Sequence, residues 1–382
     1  LKKAKPLKPS LITILLIFCF QLKAQESFII KNVKVFDGEN TIENTSVKIT
    51  GDRIEDVSPQ IEISGGLEVI DGNGKTLIPA LFNAHVHAWL PQSLSQAAKA
   101  GVLNVMDMHG FEDFQQNMRR LKDSTNFARY FVAGYAATAP GGHGTQFGFA
   151  VPTLVKPESA QKFVKERVKS KVDYIKIIVE PSLKTLSIET VAAIVKEAHL
   201  ANLIAVVHIS RLEDAIQVLE SNADALVHIW WDKPVNKAKL EKLAENKDFF
   251  IVPTLLTTLK AFEAMGENSK DLLTKAELLA EVKKLHEAKI PILAGTDPPN
   301  LNINYGTDLY EELFLFQEAG LSNIEILKTA TSNVAKAFNL KEMGYLKKNY
   351  IADMLLINGD PTENIEDIAR IERIWKAGKL VR

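Results

Sequence analysis

The sequence predicts an α/β protein, a (β/α)8 TIM barrel carrying a small β-sandwich built from both ends of the chain. Three observations lead there. Apolar, strand-like runs alternate with amphipathic helical stretches through the middle of the chain. Both ends have another texture, of short alternating runs cut by turn dipeptides. Histidines and carboxylates sit at the ends of the central strands, and barrels of this kind gather such ends on one face.

Residues 1–24 stand apart from the fold. Lys2, Lys3, Lys5 and Lys8 precede Leu11–Phe20, which is apolar except for Thr13. Ala24 offers a small residue at a cut before Gln25. This is the layout of a secretory signal peptide, and so short an apolar run does not span a bilayer. The expectation is a secreted or periplasmic protein with no stable membrane anchor after processing. A lipid-anchored form would need a small residue before Cys19, where Phe18 stands instead. Cys19 is the chain's one cysteine, which excludes a disulfide framework and a cysteine-type zinc site.

Residues 25–78 read as the first part of the sandwich. Phe28–Leu77 breaks into short alternating runs at Asp37-Gly38, Gly51-Asp52 and Asp71-Gly72. The barrel is expected over 79–343. Its eight strand candidates are Leu77–Val86, Leu103–Met108, Arg129–Tyr135, Tyr174–Val179, Leu203–Ile209, Ala225–Ile229, Phe249–Leu255 and Pro291–Thr296. Between them fall amphipathic stretches such as Ser159–Ser170, Ile188–Leu200, Arg211–Ser221 and Leu272–Ala288. Residues 344–382 return to strand texture and complete the sandwich. Hydrophobic residues make up 46% of the chain, enough for a full core, which excludes a disordered protein. With 46 Lys and Arg against 47 Asp and Glu, it carries no basic footprint for nucleic acid.

The chemistry lies at the strand ends. His85 and His87 occupy alternate positions in ALFNAHVHAWL, so both imidazoles face one side of a strand. His208 closes LIAVVHI, His228 closes ALVHI and Asp297 closes PILAGTD. Lys176 lies inside the apolar run YIKIIVE, where an unpaired ammonium is costly to bury. These six groups converge on the C-terminal mouth of a barrel, and imidazole with carboxylate is the donor set of a catalytic divalent ion. His199 and His286 read as ordinary helix histidines. His143, in the glycine-rich turn Gly141-Gly142-His143-Gly144, reads as a substrate-contacting group or as a mere turn residue. Arg211, three residues after His208, either receives a substrate carboxylate or opens the next helix facing solvent.

From KVFDGEN and LIPALFNAHVH through GGHG, DYIKI, AVVHIS, DALVHIW, IVPTL and LAGTDPP to ATSNVAKAFNL and IADMLLINGDP, the chain resembles the amidohydrolase superfamily. Within it the chain is most similar to the imidazolonepropionase-like group that includes Xaa-Pro dipeptidases. The resemblance implies two divalent metal ions, zinc first, with manganese or iron as alternatives. His85 and His87 match the ligands of the more buried metal, and Asp297 matches its axial ligand. Lys176 matches a lysine that carries a CO2-derived carbamate and bridges the metals. His208 and His228 match the ligands of the second metal. Asp297 also matches the proton shuttle of a metal-bridging water, and His143 stands as a second catalytic candidate. His143, Arg211 and Trp230 are the expected substrate contacts. The chain departs from the family where Ile178-Val179-Glu180-Pro181 replaces a common Gly-Gly. It departs again where Ile229, followed by Trp230 and Trp231, replaces a glycine. Both changes fall on the pocket wall.

The expected activity is metal-dependent hydrolysis of an amide-like C–N bond in a small-molecule substrate, a dipeptide or an N-acyl amino acid. The alternative on the same scaffold is a mononuclear ring-opening hydrolase of cyclic amides, or a deaminase. The alternative of another class is a catalytically silent binding barrel. Assembly into a homo-oligomer is compatible with all three.

Overall fold

The computed structural model describes residues 27–381 except 63–64, 147, 149, 237, 239, 241–243 and 245–248. The export signal expected at residues 1–24, and Cys19 within it, lies outside the described residues. Strands β1 (Ser27–Phe36), β2 (Thr41–Thr50), β3 (Arg53–Ser58), β4 (Glu68–Asp71) and β5 (Thr76–Pro79) come from the start of the chain. Strands β13 (Met354–Ile357), β14 (Ile371–Lys376) and β15 (Lys379–Leu380) come from its end. They share one sheet in the order β15-β14-β13-β5-β1-β2-β3, with β4 flanking β1. Phe28 and Ile30 of β1 and, past a register shift, Val33 and Val35 join Val47, Ile54, Met354 and Trp375 in a core of their own.

The middle of the chain supplies parallel strands: β6 (Leu81–Val86), β7 (Val102–Asp107), β8 (Arg129–Val132), β9 (Ile175–Ile178), β10 (Ala205–His208), β11 (Ala225–Val227) and β12 (Phe250–Val252). Regular ladders join β6-β7-β8 and β9-β10-β11-β12. Single bonds continue the path between these sheets. Ala137 N–H donates to the Lys176 carbonyl at 2.8 Å, and Ile178 N–H to the Ala137 carbonyl at 2.9 Å. On the other side, Leu293 N–H donates to the Ile251 carbonyl at 2.9 Å, and Ala84 N–H to the Ala294 carbonyl at 2.8 Å. The hydrogen-bonded path that leaves β6 therefore returns to β6, with the 291–297 segment as its eighth member.

Helices fill the gaps between strands, as the sequence pattern predicts. In Ile188–Leu200, Val191, Ile194, Val195 and Ala198 are buried, the spacing of one helical face. Ser187 caps that helix by accepting the Thr190 N–H, and Thr274 with Glu277 forms a capping box at the start of Lys275–Glu287. Such caps contribute about 1 kcal/mol each.

Three expected strands differ from what forms. Pro291–Thr296 makes no strand of its own, only an isolated bridge of Ile292 with Ile251. The run Leu77–Val86 is two strands in two sheets, β5 and β6, separated by Ala80. Pro79 brings no N–H to a ladder, and the chain changes partners there: Ala80 donates to Asp353, and Leu81 donates to Gly101. The run Phe249–Leu255 ends as a strand at Val252, because Thr254 takes a left-handed φ of 49° and Leu255 begins a helix.

Candidate active site

The C-terminal strand ends surround a cleft of about 490 Å3. Its wall includes His85, His87, Lys176, His208, His228 and Asp297, the six groups read from the sequence. Local backbone geometry aims three of the neighbouring side chains. His228, Thr254 and Asp297 end successive barrel members, and all adopt positive φ, at 68°, 49° and 54°. Left-handed backbone is costly for residues with a Cβ and clusters at functional sites. Here it accompanies the turn of His228 and Asp297 into the mouth and of Thr254 onto the His228 ring.

Asp297 Oδ1 lies 3.3 Å from His85 Nε2 and 3.1 Å from His87 Nε2. One ligand atom each from His85, His228 and Asp297 fall within 4.8 Å of one another. The His85 and His228 rings are 4.8 Å apart by centroid, and those of His228 and His208 are 4.5 Å apart. Both ring nitrogens of His85 and Asp297 Oδ1 are buried and lack hydrogen-bond partners among the described residues. Buried polar atoms are rarely left so, and a divalent cation at this point would satisfy Asp297 Oδ1 and one ring nitrogen of His85.

The surrounding hydrogen bonds fix which ring atoms are offered. The Thr254 hydroxyl donates to the Pro253 carbonyl at 2.8 Å, so its oxygen accepts from His228 Nδ1–H at 2.7 Å. His228 Nε2 is left with its lone pair towards the cleft. His87 Nδ1 faces the His109 carbonyl at 3.5 Å, which turns its Nε2 to Asp297. Burial holds His85 and His228 well below the usual imidazole range, and His208 below it, so each is a neutral donor at pH 7. Burial opposes charge on His87 as well, but Asp297 outweighs it and lifts that group. Burial pushes the Lys176 amine down to about 7. These residues fit a divalent metal site.

His143 is brought to the site. Its ring stacks on His208 at 4.9 Å, and burial lowers it to about 4. The turn that presents it is held by Thr138, which donates to the His143 carbonyl at 2.7 Å. Arg211 also borders the cleft, exposed, just before the helix Leu212–Glu220. Trp230 does not. It is 1% exposed, and its indole N–H donates to Glu281 at 2.8 Å, behind the strand. Simple alternation would put Trp230 on the face of His228, but the left-handed turn at His228 shifts the phase, and Trp231 reaches the cleft instead.

Sequence reasoning assigned no role to three residues, although it placed the stretch that holds Glu180 on the pocket wall. Glu180 borders the cleft, with Oε2 at 3.4 Å from His208 Nε2 and Oε1 accepting from Ser182 N–H at 2.9 Å. Burial alone would raise its carboxyl, but His208 and Ser182 bring it down to about 2. His109 also borders the cleft. Its Nδ1 accepts from Ala136 N–H at 2.9 Å, and burial keeps the ring neutral, down to about 3. Asp107, fully buried, accepts from Ala88 N–H, His109 N–H, Gln115 and Tyr130, and so ties the loop after His87 to the loop after β7. Burial raises its carboxyl to about 6. Their signal was position: Asp107 and Glu180 lie at or just past the ends of barrel strands.

Residues 76–381 match the model of the family described as the amidohydrolase family. A 5-methylthioadenosine/S-adenosylhomocysteine deaminase of Clostridium tetani is 23% identical over 393 aligned positions, covering 87% of this chain and 85% of its own. The crystal structure of a Xaa-Pro dipeptidase with bound methionine superposes with a TM-score of 0.79 at 21% identity, over 93% of this chain and 99% of that one. That of a putative prolidase from Bifidobacterium longum superposes with a TM-score of 0.77 at 24% identity, over 94% and 95%.

Proposed function

Because the chain belongs to the amidohydrolase family and is a hydrolase of carbon–nitrogen bonds, we propose that it cleaves the amide bond of a dipeptide or an N-acyl amino acid at a two-metal centre. The observation that carries this reading is the place of Lys176. It is buried on the cleft wall, within electrostatic reach of His85, His208, His228 and Asp297. A lysine is an unsuitable ligand until its amine nitrogen bonds the carbon of CO2 and loses a proton, giving an anionic carbamate. That group suits a position between two cations.

His85, His87 and Asp297 would hold one ion, His208 and His228 the other, with the carbamate of Lys176 between them. Zinc suits the set, and manganese or iron would also be accepted. When bound, such ions lower the pKa of water and polarise a carbonyl. The chain supplies the rest. Asp297, turned into the cleft at 3.1 Å from His87, takes the proton of the attacking water and returns it to the departing nitrogen. His143, neutral and stacked on His208, donates to the substrate carbonyl or its leaving group. Arg211, at the outer wall, receives the terminal carboxylate.

The test is a metal count and a hydrolysis screen on the metal-loaded protein. Two equivalents of metal and release of a free amino acid are expected. In Lys176→Ala, one equivalent should be lost together with nearly all turnover, and short carboxylic acids should restore part of both. Full activity in that variant overturns the bridging role. A second reading is deamination at one ion, favoured by the deaminase relatives and by the compact grouping of His85, His228 and Asp297. It requires one equivalent of metal and ammonia as product. Residues 1–24 are proposed to direct export, and the mature protein should then begin at Gln25.

A further inference from the structure

We propose that Trp231 and the helix Leu255–Met265 form an apolar subsite for the side chain of the amino acid that is released, so that this cleft prefers substrates ending in a large apolar residue. The inference rests on the reading of the cleft as an amide-cleaving site and narrows it. Trp231 borders the cleft just past β11, and its main chain is pinned on both sides. Its N–H donates to the Ser210 carbonyl at 3.1 Å, and its carbonyl accepts from Leu273 N–H at 2.8 Å. Its indole meets the ring of Phe262, on the helix, edge to face at 5.9 Å between centres. From the same helix Thr258, Ala261 and Met265 border the cleft, at the three- and four-residue spacing of one helical face. Met265 is 39% exposed, a large apolar side chain left in water at the cleft. Ala261 is the smallest side chain of the face, so it leaves room for a branched or aromatic group.

The hydroxyls on this part of the wall are already engaged. Thr257 donates to the Thr296 carbonyl at 2.7 Å, and Thr258 to the Thr254 carbonyl at 3.2 Å. Among the described residues that border the cleft, this helix and Trp231 bring no charged side chain, whereas the segments after β9 and β10 bring Glu180, Ser182, Ser210 and Arg211. A charged group seated against Trp231 would give up water without gaining a partner, and an apolar one would lose nothing. The position of the wall decides which part of the substrate meets it. An amino acid carries its carboxylate and its side chain on one α-carbon. Arg211, the proposed receptor of the carboxylate, follows Ser210, whose carbonyl holds the Trp231 main chain, and the strands leading to the two are paired neighbours. A carboxylate on Arg211 therefore brings the side chain of the same residue to the indole.

The test uses metal-loaded wild type, Trp231→Ala and Ala261→Leu on dipeptides that differ only in the last residue: alanyl-alanine, alanyl-leucine, alanyl-phenylalanine, alanyl-lysine and alanyl-glutamate. Wild type should favour leucine and phenylalanine over alanine by at least about tenfold in kcat/KM, the lower end of what one methylene is worth in an apolar pocket. Lysine and glutamate should fall below alanine. Trp231→Ala should bring the leucine-to-alanine ratio close to one. Ala261→Leu fills the space instead of emptying it, so it should cost phenylalanine the most and alanine the least. That variant keeps Trp231 and decides the question by itself if Trp231→Ala does not fold. Equal losses on all five dipeptides, or a wild-type preference for lysine or glutamate, overturn the proposal. Calorimetric binding of the same dipeptides separates the two levels of inference. Selective binding of the leucine and phenylalanine compounds without release of an amino acid retains the subsite and sinks amide cleavage. Equal binding and equal cleavage of all five retain amide cleavage and sink the subsite.

Discussion

At the scale of single residues, the proposed ligand set was legible because its histidines and Asp297 stand at or near strand ends and Lys176 is a lone charge inside an apolar strand. His85, His87, His208, His228 and Asp297 could be found by asking which polar groups lie at strand ends, and Lys176 by asking which charge an apolar run would bury. What one sequence could not give was the phase of the chain beyond a strand end, and Trp230 shows why. A single left-handed residue, His228, exchanges inside for outside, and no periodicity rule foresees it. His109 was passed over for a related reason, since only the folded loop reveals that it reaches the cleft. Two substitutions test the roles at this scale. Thr254→Val removes the acceptor that fixes the His228 ring while keeping its volume, so metal affinity should fall about 10–100-fold in a metal titration, with the fold intact. Asp297→Asn should lower turnover by about 10²–10⁴-fold while metal content falls only modestly, as metal analysis and kinetics on one preparation will show. Near-normal turnover in that variant would move the proton transfer to His143.

At the scale of elements, apolar alternation located the helices and seven of the eight barrel members well, and strand ends less well. Strand candidates came out longer than the ladders, because alternation continues into residues that pack without pairing. The helix Leu255–Met265 illustrates a contact that pattern reading cannot supply. It has no cap of its own, and the carboxylate of Glu312, from the helix Asp308–Glu318, accepts its first N–H groups, those of Leu255 at 2.9 Å and Leu256 at 2.8 Å. That arrangement also steadies Thr254, and through it His228. Glu312 is fully buried, and burial pushes its carboxyl up to about 8, above the 4.5 of a free glutamate. A raised carboxyl keeps its proton in the folded state after the unfolded chain has released it. Stability from this group is therefore present below about 4.5 and is lost as pH rises towards 8. Glu312→Gln should be less stable than wild type at pH 5, with the gap narrowing by pH 8, as denaturant midpoints at the two values will show. A gap that stays constant would mean that the carboxylate is charged throughout.

At the scale of the whole molecule, the α/β class and the pairing of both ends were legible because strand texture appears on either side of a barrel pattern. The return of the barrel onto β6 depends on single bonds from the 291–297 segment, which no local pattern encodes. A metal bound by the proposed ligands, which come from five barrel members, would hold those members together. Chelation should therefore lower the unfolding temperature, by the equivalent of about 2.7 kcal/mol where free metal had stood at 100 times its Kd. A further consequence follows from the place of β5 between β1 and β13, one residue ahead of the strand that bears His85 and His87. During synthesis the ribosome delivers all six ligand residues before it delivers β13. Until Met354 and the residues after it emerge, β5 has an open edge, and the first ligand strand hangs from an unfinished brace. A message truncated just before that point would encode all six proposed ligands and still leave β5 without its β13 partner, so the centre should be less well braced in that product.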